Sequence, residues 1–392
     1  MGVKTLPKYT SSSDQAVTAR VEAAIEKVRD EIAARLKPDS IILIGSFGRG
    51  EALVSLEGDS LKFLSDCDII VISRKLITRK TLIKLEDKLK RKTSLEVNIS
   101  GLELSLYFNL AKFFTKIWRP TIDVYDMKYG SRIVYGQNYL ERIPDFKPEE
   151  IPVWEGVRLV FNRMIESLAC LEHSYLLEQP NKEDGQRLLA AAAKMLQACR
   201  TALLILNGQY HHQQEVRKQR FEESFSEYSM EIESLDSRNP LRYWFAAAAL
   251  TDKILRHILN EDAGLTFRGY DDFYAKFMSS AHIRNRYHRG LSASPLYQNS
   301  RSTAKVAFTG RGLPPPGRLL WPRDSWSSII YATIPLIYFA LNEDGSINSA
   351  LLKKARQNLS LFARLEKEKS DGLLEWRYLK DEALKLRDSY CH

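Results

Sequence analysis

The chain has 392 residues, about twice the usual length of one domain, so two or three domains are expected. An apolar fraction of 44% and a charged fraction of 27% exclude a dominantly disordered or low-complexity chain. The formal net charge is +9, and it is concentrated: residues 281–323 carry eight basic side chains, among them Arg284, Arg286 and Arg289, and no acidic one.

Four cysteines (Cys67, Cys170, Cys199, Cys391) are scattered with no CxxC pair, which excludes a zinc knuckle or disulfide framework and points to a reducing, cytoplasmic setting. The opening residues MGVKTLPKYTSSSDQ lack the apolar core of a secretory signal. The longest apolar run, Ile329 to Leu341, falls short of the about 20 residues that span a bilayer, and it reads as a buried helix.

In chain order, residues 14–36 have a helical apolar stripe through Val17, Val21, Ile25, Val28 and Ile32. IILIG (41–45) is a short β-branched strand closed by a glycine, and CDIIVIS (67–73) is a second strand. Between them, EALVSLEGDSLKFL is expected to form a loop or short hairpin. Residues 78–91 read as a basic amphipathic helix. LEVNIS (95–100) and TIDVYD (121–126) are further strand candidates, with an aromatic-rich helical segment around 104–117 between them.

After the linker IPDFKPEEIP the pattern changes to helices: 154–175, 183–207, 214–227, 240–259, 324–341, and a long last one over about 349–369. The expected fold class is α+β, a small mixed-sheet domain followed by an all-helical one. The expected boundaries are 1–136 for the sheet domain and 137–308 for the helical domain. TGRGLPPPGRLLWP gives a Gly/Pro-rich basic loop at 309–323, because PPP cannot continue a helix, and 324–392 form a terminal helical extension.

The chemistry concentrates in ILIGSFGRGE (42–51) followed by SDCDIIV (65–71). Strand side chains repeat every second residue, so Asp66 and Asp68 point one way and Cys67 the other. Two such carboxylates repel unless a divalent cation lies between them, and hard oxygen ligands favour magnesium or manganese. A third carboxylate on an adjacent strand would complete a two-metal site. TIDVYD is expected to supply it through Asp123, in preference to Asp126, which sits nearer the expected strand end. Glu57 and Asp59 in the insertion are weaker acidic candidates, read in preference as structural or solvated.

GS, a further glycine, a DxD opening an apolar strand and a lone later carboxylate resemble the nucleotidyltransferase superfamily of DNA polymerase beta, over about residues 41–126. The resemblance implies a nucleotidyltransferase domain that moves a nucleoside monophosphate from a nucleoside triphosphate to a hydroxyl, releasing pyrophosphate. It assigns Gly45 and Ser46 to the triphosphate, Asp66 and Asp68 to both metals, and Asp123 to the metal that activates the acceptor. Arg49 could add a charged fork to a phosphate. ATP is the expected donor on family frequency alone. Two departures stand out: twenty positions separate Ser46 from Asp66, and Glu51 stands where many relatives have threonine.

In polyadenylating and oligoadenylate-type relatives, a lysine of the added helical domain meets the triphosphate and a nearby aromatic residue helps with the base. Lys194, set among alanines and leucines, and Tyr210 are the matching candidates here. Adjacent His211 and His212 do not share a helix face and make no metal site. HIRNRYHRG (282–290) leaves three residues between Arg284 and His288, too few for the arginine–histidine motif of small helical RNases, and only its charge is retained. The basic segment 281–323 can attract RNA or another polyanion. The acceptor stays open among RNA, a second nucleotide, a protein side chain and a small molecule. The rival of a different class is a non-catalytic nucleotide sensor or scaffold. Oligomeric state is not legible.

Overall fold

The structure, a computed structural model, describes residues 9–57, 60–104, 118, 120–263, 333–360 and 363–390. The basic stretch 281–323 and the segment expected at 104–117, beyond Leu104, lie outside the described residues. The described residues divide into two compact units, one reaching to residue 150 together with 211–216, the other holding the rest.

In the first unit, helix α1 (Gln15–Leu36) starts where Asp14 accepts the N–H groups of Ala16 and Val17, a local N-cap. Strand β1 (Ser40–Leu43) runs into the short helix α2 (Gly45–Arg49). The insertion is a hairpin, β2 (Val54–Glu57) with β3 (Ser60–Phe63). Then come β4 (Cys67–Ser73), α3 (Arg79–Thr93) and β5 (Val97–Glu103), followed by α4 (Ile122–Tyr129) and β6 (Arg132–Gly136). The sheet order is β5-β4-β1-β6. It is mixed: β4 and β5 are parallel, while β1 is antiparallel to both β4 and β6.

Strand alternation divides β4 between two cores. Cys67, Ile69 and Val71 pack with the stripe of α1 and with Leu82, Leu85 and Leu89 of α3. Ile70 and Ile72 face the opposite layer, where Val124 and Met127 of α4 lie with Tyr139 and Ile143. The outer edge of β5 is closed by α3: Glu86 accepts the Ile99 N–H (2.7 Å) and Arg79 donates to the Ile99 carbonyl (3.2 Å).

TIDVYD is a helix, not a strand. Thr121 caps it by accepting the Val124 N–H (3.2 Å), and Gly130 ends it. Its apolar residues fall at 122/125 and at 124/127, so both layers of the helix are filled at a spacing of three. The strand that closes the sheet is instead the following run, Arg132–Gly136, which pairs with β1.

The second unit is helical, as expected. Helices α5 (Val153–Ala169), α6 (Lys182–Leu206) and α9 (Pro240–Ala263) pack together. Between α6 and α9 lie α7 (Gln214–Ser224), whose first residues group with the first unit, and α8 (Ser226–Glu233); these break the expected helix 214–227 in two. A helical turn over 333–338 and helices α10 (Ser349–Ser360) and α11 (Gly372–Tyr390) complete it. The expected helix 349–369 stops at 360, and α11 is additional. Helix α6 is long and apolar enough by composition to cross a membrane, yet Leu188, Ala192, Met195, Cys199 and Ala202 are buried in this unit's core. Two polar side chains of that unit are paired in its interior: Trp244 Nε1 donates to Ser167 Oγ (2.7 Å), and Lys380 Nζ, on a residue 2% exposed, donates to the Leu171 carbonyl (2.7 Å).

Helix α1 is tied to α3 by Glu31, which accepts from Lys88 and Lys92 and from Arg35 on its own helix. Those hydrogen bonds hold the Glu31 carboxyl at about 2, below its ordinary 4.5. The folded value is the lower one, so this tie stabilises the protein above about pH 4.5 and disappears as pH falls through about 2. Glu31→Gln should therefore lower Tm at pH 7 by about 2–4 °C, the equivalent of about 1 kcal/mol. Thermal melts of both proteins from pH 7 to 2 check this, and the difference should shrink below pH 4.5.

Candidate active site

The site forms where β1 ends and β4 begins. The Ile44 N–H donates to the Asp68 carbonyl (3.0 Å), which carries the β1–β4 ladder one step past Leu43↔Ile69. Gly45 then turns the chain with φ +63°, and a Cβ built there would stand 2.9 Å from Asp68 Oδ2. Gly48 is buried, and its missing Cβ would lie 2.6 Å from the Leu43 carbonyl oxygen and 2.9 Å from that of Gly130. Gly45 thus opens space in front of a carboxylate, while Gly48 lets α2 lie directly on the backbone beneath it.

Helix α2 begins without a side-chain cap, because Ile44 has no acceptor to offer. As at any helix start, its first N–H groups have no intrahelical partner, and the helix begins at Gly45, which lies against Asp68, with half-buried Ser46 next to it. Asp66 is exposed, Asp68 is half-buried, and Cys67 between them is fully buried in the opposite layer. Burial, with the charges of Asp68 and Asp66, pushes the Cys67 thiol far up, so it is not a nucleophile.

Burial also raises the Asp68 carboxyl above its ordinary value. The hydrogen bond from Asn98 Nδ2 to Asp68 Oδ1 (3.0 Å) works against this, the charge of Asp66 adds to it, and Arg49 opposes it. Two hard carboxylates on one strand face, beside a gap that a Cβ would fill, fit a divalent cation.

Residues 25–132, from α1 to the start of β6, match the family model described as nucleotidyltransferase domain. The chain carries a nucleotidyltransferase domain of the polymerase-beta-like superfamily. No curated protein and no solved structure matches the chain.

Within the nucleotidyltransferase domain, the structure brings Gly45, Ser46, Asp66 and Asp68 into one corner. Asp123 lies elsewhere in the secondary structure: it sits in the first turn of α4, where an acidic side chain favours the helix N-terminus, rather than on a strand beside β4. Among the described residues, no three His, Cys, Asp or Glu side chains gather into a metal-holding group. Arg49 is held by two carboxylates, Glu51 through Nε (2.8 Å) and Asp126 through Nη1 (3.2 Å). His211 and His212 stack on each other at 4.3 Å.

In the helical unit, Lys194 is exposed on α6. Tyr210 is 2% exposed, with Arg217 over its ring at 5.4 Å and Arg220 donating to its carbonyl (3.3 Å). Its ring packs within that unit.

Sequence reasoning missed Asn98. LEVNIS does alternate, with Leu95, Val97 and Ile99 buried, so the sequence places Asn98 on the other face. What it does not show is that β5 pairs parallel to β4 with Asn98 opposite Asp68.

Gly45→Ala should lower the free energy of unfolding by about 1–2 kcal/mol, through the left-handed backbone and the contact with Asp68. Urea denaturation of the two proteins checks the value, and an unchanged midpoint would contradict the geometry.

Proposed function

We propose that this protein transfers a nucleoside monophosphate from a nucleoside triphosphate, with ATP the expected donor, to a hydroxyl acceptor. The observation that supports this best is the Gly45–Ser46 turn set against Asp68, beside Asp66, inside a nucleotidyltransferase domain. The acceptor oxygen bonds to the α-phosphorus as the bond to the β-phosphate bridging oxygen breaks, the acceptor gives up its proton and pyrophosphate leaves. Ser46 and the N–H groups at the start of α2 bind and orient phosphate oxygens. Asp66 and Asp68 hold magnesium or manganese. When bound, the cation supplies charge neutralisation at the phosphate oxygens. Asp68 is fixed in direction by the strand and by Asn98, so it orients rather than exchanges.

Lys194, exposed on α6, remains the candidate in the helical unit for a phosphate contact, whereas the packed ring of Tyr210 does not favour a contact to the base. RNA is the acceptor class that the basic segment 281–323 suits by charge. A second reading, nucleotide binding without transfer, draws on one observation: Asp123 does not join the carboxylate pair in a group of three among the described residues.

Pyrophosphate release from labelled ATP, measured with pooled RNA, mononucleotides, proteins and small alcohols in turn, separates the two readings. Transfer should occur with one acceptor class and fall at least about 10²-fold in Asp66→Asn and Asp68→Asn. Asp123→Asn should keep most of the rate. Binding of ATP with no release under any acceptor would favour the sensor, and full activity in both strand variants would defeat the assignment.

A further inference from the structure

Asn98 occupies a particular place. β5 is the strand next to β4 on the side away from β1, and their parallel register sets Asn98 directly opposite Asp68. Both residues lie on the sheet face that carries Ile70, Ile72 and Leu102 farther along the same two strands. A third carboxylate that completed a cluster with Asp66 and Asp68 from an adjacent strand would stand at this position. The side chain there is a neutral amide, and it donates to Asp68 Oδ1 at 3.0 Å.

We propose that Asn98 sets the cation capacity of this site: by filling the third position with an amide that pins Asp68, it limits the protein's own ligands to one divalent cation. The inference rests on the nucleotidyltransferase reading of Asp66 and Asp68. Two features of the geometry lead to it. The amide satisfies Oδ1, which leaves Oδ2, the oxygen facing the gap at Gly45, as the open donor of Asp68. The two carboxylates carry −2, where a cluster of three would carry −3, and a second dication would be held with too little negative charge to offset the repulsion between the two ions. Asn98 is thus a positioning residue, acting through Asp68. The amide also replaces a repulsive contact with an attractive one, because two carboxylates about 3 Å apart disfavour each other when no cation lies between them.

Asn98→Asp tests this, since it changes charge with almost no change in volume. Mn²⁺ binding to the full chain is counted from the loss of the free-ion electron paramagnetic resonance signal, in wild type, Asn98→Asp, Asn98→Ala and Asp68→Asn. The wild type should hold one equivalent, lost in Asp68→Asn and retained in Asn98→Ala. Asn98→Asp should bind a second equivalent and bind the first at least about tenfold more tightly. Its Tm should fall below that of wild type in EDTA and rise above it in Mn²⁺, because a ligand that binds only the folded state raises its stability. Two equivalents in the wild type, both lost in Asp68→Asn, would overturn the inference without any need for the aspartate variant. Unchanged stoichiometry and affinity in a folded Asn98→Asp would overturn it too, while leaving the carboxylate pair as the metal site. No Mn²⁺ bound to the wild type at all would overturn both this inference and the reading of the site.

Discussion

The antiparallel register of β1 on β4, Leu43 opposite Ile69 and the Ile44 N–H on the Asp68 carbonyl, is the constraint on which the site depends. It brings the end of one strand and the start of its neighbour to the same end of the sheet, so that a turn and two carboxylates meet. A slip of one residue would exchange the faces of β4. Asp66 and Asp68 would then enter the layer where Cys67 and Ile69 pack against α1, and Cys67 would take their place at the surface. Burying two unpaired carboxylates costs several kcal/mol for each ion. The apolar pattern of CDIIVIS, which fills both cores at once, therefore fixes which face carries the two carboxylates as well as the fold.

That register also explains why the two glycines of the turn differ. At Gly45 a Cβ would press on Asp68 Oδ2 from a left-handed backbone, whereas at Gly48 only a residue without a Cβ can lie between the carbonyls of Leu43 and Gly130. The first keeps a space open in front of a carboxylate, the second keeps α2 low enough for Phe47 to be buried with Cys67 and Ile69. Local backbone freedom is thus spent on bringing the start of α2 close to a carboxylate, and on the proposed function a cation between them would offset the repulsion between that charge and a phosphate.

Much of this was legible in the sequence because it was local. The stripe of α1, the two apolar strands and the basic helix α3 each declare themselves through spacing alone, and the DxD spacing puts both carboxylates on one face without reference to any partner. Two things were not local. TIDVYD has β-branched and aromatic residues that suit either a strand or a short helix, and a Thr121 cap with apolar positions three apart decides for the helix. Asn98 is an unremarkable polar residue in an alternating run until the parallel pairing of β5 with β4 places it on Asp68. Strand partners are chosen by the packing of the whole sheet, and no window of the sequence contains that choice.

Arg49 shows the same limit from the other direction. By position in the turn it reads as a fork for phosphate, yet Glu51 and Asp126 already occupy its Nε and Nη1. Glu51 is used on both oxygens: Oε2 accepts from Arg49 and Oε1 accepts the Gln214 N–H (2.6 Å). The side chains of Arg49 and His212 approach Gly130 closely enough that a Cβ there would stand 3.1 Å from each. These contacts join α2, the end of α4 and the segment 211–216, which belongs to the same unit although some sixty residues of helical chain precede it. A threonine at 51 could not reach both partners. For Arg49 to meet a phosphate it would have to leave two carboxylates, and the anion would have to replace both. The arginine is therefore better suited to holding α2 at its angle over β1, and its charge acts on the site at a distance, by easing the ionisation of Asp68. Glu51 and Arg49 form one device, a clasp that ties a distant stretch of chain to the turn between β1 and α2.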